Sequence, residues 1–359
     1  MYIESPFHLL SFFTRAEEAR RMWKRWRSGP VEVEERLWVH TFCNLLPYRR
    51  NRFGFDSQIN ALNQALILPQ LKGNLNRLGF INPILFIGAA LALPLLKHLP
   101  HCLQVYHCSD DFTCVDTFPK SFRALEAQVI RQADVVIATA EELRKAKAPL
   151  NNRIFTVTNG AHVDHFAKTQ LPETAVAQDI APFKKPVIAL IGTVFRWIDQ
   201  EMVAYAAQRH PDWSFVFIGQ VTTDISVLKS CPNIHIFGPR PYADLPGYLK
   251  GIDVVTVPFL FNDLTLRASP IKFYEYLASG VPIVASRLPD FEPFAHLAHL
   301  VRTKEEFSVA LEAAVADKSP EKRSARMAEG QKHSWEARFR RIDELIESAL
   351  AEKEPGKKT

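Results

Sequence analysis

The sequence predicts an α/β protein of two domains, each a parallel sheet covered on both faces by helices. Three observations predict it. Short apolar runs ending in Gly or Pro alternate with helix-length amphipathic stretches in both halves of the chain, the rhythm of strand–crossover–strand units. The length, 359 residues, suits two domains of ~150 residues each. Residues 167–185 are polar, carry Pro172 and Pro182 and lack periodicity, as a linker does. A composition of 47% hydrophobic and 23% charged residues excludes a mainly disordered, collagenous or coiled-coil chain.

In the first half the strands are expected at residues 38–42, 84–88, 103–107, 135–139 and 154–158, with helices at 122–131 and 141–147. The most apolar stretch, 80–96, is interrupted by Asn82, Pro83 and Pro94, and its uncharged core is shorter than the ~20 residues of a membrane span. It reads as a buried strand followed by a helix. The first ten residues, MYIESPFHLL, lack the basic start of a signal peptide. In the second half, strands are expected at 185–192, 213–219, 234–238, 253–258 and 281–286, with a helix at 199–209. Strand ends of this kind are where open α/β sheets place ligands. Residues 321–352 read as helical and 354–359 as frayed. The expected domains are thus 1–170 and 186–334 around a linker at 171–185, with 335–359 a C-terminal helix and tail.

Five cysteines, an odd number with no C-x-x-C pair, argue against a disulfide scaffold or structural zinc and for reduced thiols in a cytosolic protein. The net charge is +5, unevenly spread. Residues 15–27 hold Arg15, Arg20, Arg21, Lys24, Arg25 and Arg27 against Glu17 and Glu18, with Trp23 and Trp26 among them. One reading is a peripheral contact with an anionic membrane, Trp at the interface. The other is a solvated basic face whose Trp residues pack on the domain. Nucleic acid is not expected as a partner, because no binding motif accompanies the charge. There is no G-x-G-x-x-G after a strand, no P-loop, no G-x-S-x-G and no H-E-x-x-H, which disfavours a dehydrogenase, a P-loop NTPase, an α/β-hydrolase and a zincin.

The most informative segment is residues 268–286, ASPIKFYEYLASGVPIVAS. Ser269 and Pro270 lead into a helix over 271–279, Gly280 ends it, and a strand follows. The helix start offers free N–H groups and a positive dipole end, which suit a phosphate. Lys272 lies in the first turn, where a cation opposes the dipole unless an anion docks beside it. Glu275, one turn on, suits ribose hydroxyls. The alternative is an ordinary surface Lys–Glu pair.

That segment resembles the nucleotide-sugar motif of GT-B glycosyltransferases of the family 4 type. The likeness continues through VIRQADVVIATAEEL (129–143), VTNGAHVDHF (157–166), IGTVFRWIDQEMV (191–203), HPDWSFVFIG (210–219) and FGPRPYADLPGYLKGIDVVTVPF (237–259), in family order. YIESPF at the start and YHCSDDF (106–112) resemble a bacterial subgroup that builds cell-surface polysaccharides. The resemblance implies two Rossmann-like, doubly wound parallel-sheet domains facing across a cleft. It implies a nucleotide-diphosphate sugar donor, a UDP-sugar above others, in the C-terminal domain. The acceptor would be lipid-linked or a growing glycan, and the enzyme would work on the cytoplasmic side, peripheral to the inner face of the membrane.

Roles carry over by position. Gly192 and Thr193 would form the tight loop near the diphosphate, and Arg240 and Tyr242 would border the nucleobase. Ser269, Pro270, Ile271 and Lys272 would hold the diphosphate, Glu275 the ribose, and residues 262–265, with Thr265, would line the sugar pocket. No metal and no separate cofactor is implied, because the helix end and basic side chains serve instead. The general base would be Asp110, just after the strand at 103–107, with His107 the second candidate. Alternatively Asp110 caps the segment after it. Asp111 would raise its neighbour's pKa where both are buried.

Two departures from the family pattern stand out. Arg267 occupies the position where retaining members carry Glu, which leaves the stereochemical outcome open and leans towards inversion. The sequence starts at the segment that follows the family's first βα unit, so either that unit is missing or the start is misplaced, and the unit would border the acceptor pocket. Two other functions fit the same fold: a nucleotide-sugar epimerase, or an inactive nucleotide-binding scaffold.

Overall fold

The computed structural model describes residues 1–4, 6–44, 50–51, 54–55, 57–114 and 120–353; the expectation for residues 354–359 lies outside them. The chain divides into two units. The first comprises Met1–Ala138, Arg144–Phe155 and Leu345–Thr359, the second Thr139–Leu143 and Thr156–Glu344.

The first unit opens with β1 (Tyr2–Ile3), α1 (Ala16–Ser28), β2 (Val31–Glu34) and β3 (Leu37–His40), the three strands forming a small sheet with β3 in the middle. Next comes α2 (Ser57–Arg77), 21 residues long with Pro69 inside it. No helix was expected there. Its Ile67, Leu71 and Leu75 are buried with Phe42, Leu95 and Leu99. The main sheet consists of β4 (Ile84–Ile87), β5 (Leu103–Cys108), β6 (Val135–Ala138) and β7 (Ile154–Thr156), in spatial order β7-β6-β5-β4. The β4–β5 and β5–β6 pairings are parallel. Every residue of β6 is buried, as a parallel strand covered on both faces requires. Helices α3 (Lys120–Gln132) and α4 (Glu141–Lys147) follow β5 and β6.

The second unit takes in the start of α4 and, from Thr156 on, holds α5 (Val163–Ala167), β8 (Val187–Ile191), α6 (Gln200–Arg209), β9 (Ser214–Ile218), β10 (Ile234–Phe237), α7 (Leu245–Lys250) and β11 (Val254–Val257). It continues with α8 (Asp263–Leu266), α9 (Ile271–Ser279), β12 (Ile283–Ser286), β13 (His299–Val301), α10 (Lys304–Ala316), α11 (Pro320–Gln331) and α12 (Trp335–Lys353). The six strands run parallel in the order β10-β9-β8-β11-β12-β13. Strand β8 shows why the sheet is doubly covered. Val187, Ala189 and Ile191 join one core with Phe273 and Leu277 of α9. Ile188 and Leu190 join another with Met202 of α6 and Leu311 of α10.

One expectation is corrected. The domain boundary falls at Thr156 rather than 170, and residues 171–185 are part of the second unit. The reason is packing: Val163 and Phe166 of α5, and Ile180, are buried in the same core as β8 and α9. The stretch expected to be helical at 321–352 is helical, as α11 and α12; α12 starts at Trp335, where the C-terminal helix was expected, and from Leu345 onward it counts with the first unit. Strand β13, three residues long, had no recognisable pattern.

Candidate functional site

In the second unit the chain reverses direction of sheet growth between β8 and β11, the switch point at whose carboxyl ends such sheets bind ligands. Strand β8 runs into Gly192, whose φ of +151° suits glycine. Its N–H donates to the carbonyl of Ile218 at 2.8 Å. Gly219 ends β9, and a Cβ there would stand 2.1 Å from the Gly192 carbonyl oxygen. Two backbones therefore touch where side chains would block them. Above Gly192 lies Lys272, whose Cε would be 3.5 Å from a Cβ built on that glycine. Thr193 is exposed beside them.

Helix α9 forms as its sequence signals require. Pro270 is the extended N-cap and Gly280 the left-handed C-cap at φ +74°. The amides of its first turn have no acceptor within the helix. Tyr276, fully enclosed, fixes the helix to the end of β8: its hydroxyl accepts from Ile191 N at 2.9 Å and donates to the Ile191 carbonyl at 3.3 Å. That link aims Lys272 at Gly192. The Lys272 ammonium donates to Glu275 Oε2 at 2.6 Å, and Glu275 is only 4% exposed. An ordinary surface pair does not fit so deep a carboxylate. Ser269 is buried, and its carbonyl accepts from Asn159 Nδ2 at 2.7 Å. Ile271 is exposed.

Tyr242 presents a flat face nearby. Its ring stacks on His165 at 4.7 Å, and its hydroxyl lies 3.2 Å from His162 Nδ1. Burial first, and the charge of Glu275 second, push its phenol up to about 12. Two expected residues are otherwise engaged. The guanidinium of Arg240 donates to Asp179 Oδ2 at 3.2 and 2.9 Å and to the Tyr248 hydroxyl at 2.7 Å. It is paired rather than offered to a base. The Thr265 hydroxyl is buried in the capping box of α8, bonded to Asn262 and the Leu260 carbonyl, so it shapes the loop rather than facing a sugar.

In the first unit, Asp110 follows β5 at the carboxyl end of the sheet, as expected. Its carboxylate has no hydrogen-bond partner among the described residues. Burial first, and the charge of Asp111 second, push it up to about 6. Asp111, not Asp110, caps the next segment, accepting from Thr113 N at 3.2 Å. It also takes Lys147 Nζ at 2.9 Å, and the same ammonium reaches Glu126 Oε2 at 2.8 Å. The Tyr106 hydroxyl donates to Glu126 Oε1 at 3.1 Å. All four groups are buried, so Asp111 is not available as a metal ligand. Among the described residues no group of three His, Cys, Asp or Glu is placed to hold a metal ion. His107 lies within β5, stacked on Phe86 at 5.9 Å, and burial holds its imidazole below the ordinary value. The glycine contact at Gly219 and the anchors Asn159, Tyr276, Glu126 and Lys147 were not picked out from sequence, because only the fold brings them to these partners.

Helix α1 carries the basic cluster. Trp23 packs edge-on against Phe12 at 5.8 Å and Phe7 at 6.5 Å, and Trp26 donates from Nε1 to Gln70 at 3.0 Å. The Trp residues therefore pack on the protein rather than standing out as interfacial anchors. Arg25 pairs with Glu4 at 2.7 Å. Arg20, Arg21, Lys24 and Arg27 are exposed, with no ion pair among the described residues, and Phe13 just before the helix is 86% exposed. No helix among the described residues is long and apolar enough to cross a membrane, and all five cysteines are free thiols.

Comparison with known proteins bears on the family and the fold. Residues 186–317 match the family described as Glycosyl transferases group 1. The putative teichuronic acid biosynthesis glycosyltransferase TuaH of Bacillus subtilis (strain 168) is 28% identical over 179 residues, 47% of this chain. The matched stretch spans 44% of that relative's length. Sucrose-phosphate synthase from Thermosynechococcus elongatus superposes with a TM-score of 0.66 at 12% identity, covering 97% of this chain and 100% of that one. Trehalose 6-phosphate synthase from Burkholderia multivorans gives 0.68 at 14%, covering 90% and 89%. Anabaena HepE, solved in complex with UDP and glucose, gives 0.61 at 14%, covering 86% of each chain. The fold is GT-B, and residues 186–317 of the second unit are similar to Glycosyl transferases group 1.

Proposed function

We propose that this chain is a glycosyltransferase that moves a sugar from a nucleotide-diphosphate sugar to a lipid-linked or polysaccharide acceptor in surface-glycan synthesis. The observation that carries the reading is the meeting of Gly192, Lys272 and the open start of α9 at the sheet's switch point. A diphosphate needs what those three supply: close backbone approach, a cation and unpaired amides. When it takes Lys272, the buried Glu275 carboxylate is left to accept from ribose hydroxyls. Tyr242 offers a flat face to the base. Positive charge comes from Lys272 and the helix end, so the reading calls for no separate cofactor. UDP is favoured because HepE was solved with it, and a surface-glycan acceptor because of the name of the Bacillus relative.

For the chemistry, Asp110 takes the proton of the acceptor hydroxyl as that oxygen attacks the anomeric carbon, and the nucleoside diphosphate leaves. A carboxyl raised to about 6 is ionised at neutral pH yet basic enough to accept a proton. Arg267, in place of a carboxylate, leans the outcome towards inversion. The exposed cations of α1, with Phe13 beside them, favour peripheral contact with an anionic membrane, where a lipid-linked acceptor would lie.

The test is calorimetry with UDP-, GDP-, dTDP- and CDP-sugars. One donor class should bind, and Lys272→Ala should weaken it by about 1–3 kcal/mol, the scale of a charged hydrogen bond. Unchanged affinity in the variant would remove Lys272 from the phosphate site. A folded protein that binds none of the four would sink the donor reading.

A further inference from the structure

We infer that Asp290 is a positioning residue for the donor diphosphate, its carboxylate holding Ser269 and thereby fixing the start of α9. This rests on the donor reading above. Asp290 lies on a short 3-10 turn, Pro289–Phe294, that follows β12. Its Oδ2 accepts from Ser269 Oγ at 3.0 Å and from the Tyr274 hydroxyl at 2.8 Å. The two hydroxyls are themselves 3.2 Å apart. One carboxylate oxygen thus ties the loop before α9 to the helix's own second turn. Ser269 is 4% exposed and Tyr274 1%, so both donor hydroxyls are shielded from water, while Asp290 itself is half-buried.

The rest of the surroundings hold the same point. The Ser269 carbonyl is fixed by Asn159 Nδ2, and the Asn159 carbonyl accepts from Arg338 Nε at 3.2 Å. The Tyr274 ring stacks on His333 at 4.9 Å. Ser269 is therefore held at its side chain and its carbonyl. Pro270, next in the chain, has a restricted φ and no N–H. The first amides that can meet an anion, those of Ile271 and Lys272, follow directly from that fixed segment. Burial pushes the Asp290 carboxyl up to about 6, and the Tyr274 and Ser269 hydroxyls and Arg338 hold it down. At neutral pH it is the acceptor both hydroxyls need. Asp290 touches no part of the proposed ligand. Its effect runs through Ser269, so removing it should loosen the anion site more than the fold.

The experiment compares the full chain with Asp290→Ala and Asp290→Asn. Amide hydrogen exchange is read across residues 269–273 and across the rest of the second unit, and UDP, GDP, dTDP and CDP are titrated by calorimetry. Asp290→Ala should speed exchange at 271–273 and weaken the bound nucleotide roughly tenfold, the effect of losing about one hydrogen bond, with the β-strands unchanged. Asp290→Asn keeps an acceptor oxygen and should restore both readouts to within about threefold of wild type. Unchanged local exchange in Asp290→Ala overturns the proposal, and so does faster exchange spread evenly over the unit. Nucleotide binding shared equally by wild type and Asp290→Ala overturns the proposal alone. A wild type that binds none of the four nucleotides overturns the donor reading and the proposal together.

Discussion

Asp110 and Asp111 are neighbours in the chain with opposite surroundings. Asp111 is paired with Lys147 and bonded to Thr113. Asp110 is partly buried without a partner among the described residues, and its carboxyl is pushed up to about 6. A raised carboxyl favours the protonated folded state. Its contribution to stability is present below the ordinary carboxyl value and lost as pH rises through about 6. Asp110→Asn should therefore be more stable than wild type at pH 8, by roughly 1–3 kcal/mol, and equal to it at about pH 3, below the ordinary carboxyl value. The same variant should abolish transfer and leave donor affinity unchanged, and wild-type kcat/KM should rise with pH through about 6 as the base ionises. Denaturant melts at the two pH values and a pH–rate profile check this; strong residual turnover removes Asp110 as base. Lys147 gives the contrasting case. One buried ammonium serves Asp111 and Glu126, so Lys147→Met leaves two buried carboxylates facing each other. That should cost about 3–5 kcal/mol in a denaturant melt. A loss below ~1 kcal/mol would mean that water reaches the cluster.

At the scale of elements, legibility followed how local the cause is. Helix α9 was read to the residue from Pro270 and Gly280, because both signals act on the backbone beside them. The strand rhythm was equally plain, since strands buried on two faces are apolar throughout. Helix α2 went unread because Pro69 lies inside it and its polar and apolar residues do not sort onto separate sides. The roles of Gly219, Tyr276 and Asp290 rest on partners distant in the chain, such as Gly192, Ile191 and Ser269. No spacing rule reports such partners. Helix α1 was half legible. Its charge showed in the sequence, but the direction of Trp23 and Trp26 is set by Phe7, Phe12 and Gln70. The free cations remain on the solvent side. Replacing Arg20, Arg21, Lys24 and Arg27 together with Gln should reduce binding to phosphatidylglycerol vesicles by two orders of magnitude or more, at about 1 kcal/mol per cation. Neutral vesicles should show no such loss. Equal co-sedimentation of wild type and variant with anionic vesicles would leave α1 a solvated face.

For the whole molecule, the division into two units separates two tasks. Gly192, Tyr242, Ser269, Lys272 and Glu275 belong to the second unit, and His107 and Asp110 to the first. Each unit has its own sheet and buried core. A chain so divided need not unfold as one, and a single melting temperature would mix two events. Segment-resolved hydrogen exchange avoids that. A nucleotide that binds only the folded second unit stabilises it by RT ln(1 + [L]/Kd), about 2.7 kcal/mol at a hundredfold excess over Kd. Where exchange proceeds by unfolding of the unit, this slows it roughly a hundredfold in β8, β9, β11 and β12, whose amides are the most enclosed. The buried strands β5 and β6 of the first unit should keep their ligand-free rates of global opening. Asp110→Asn should show the same protection as wild type, because it leaves the nucleotide's groups intact, and Lys272→Ala should lose most of it at the same nucleotide concentration. Protection that centred on β5 instead would place the nucleotide in the first unit. The carboxyl end of β8, with Gly192 and Lys272 facing each other across it, would then need another ligand.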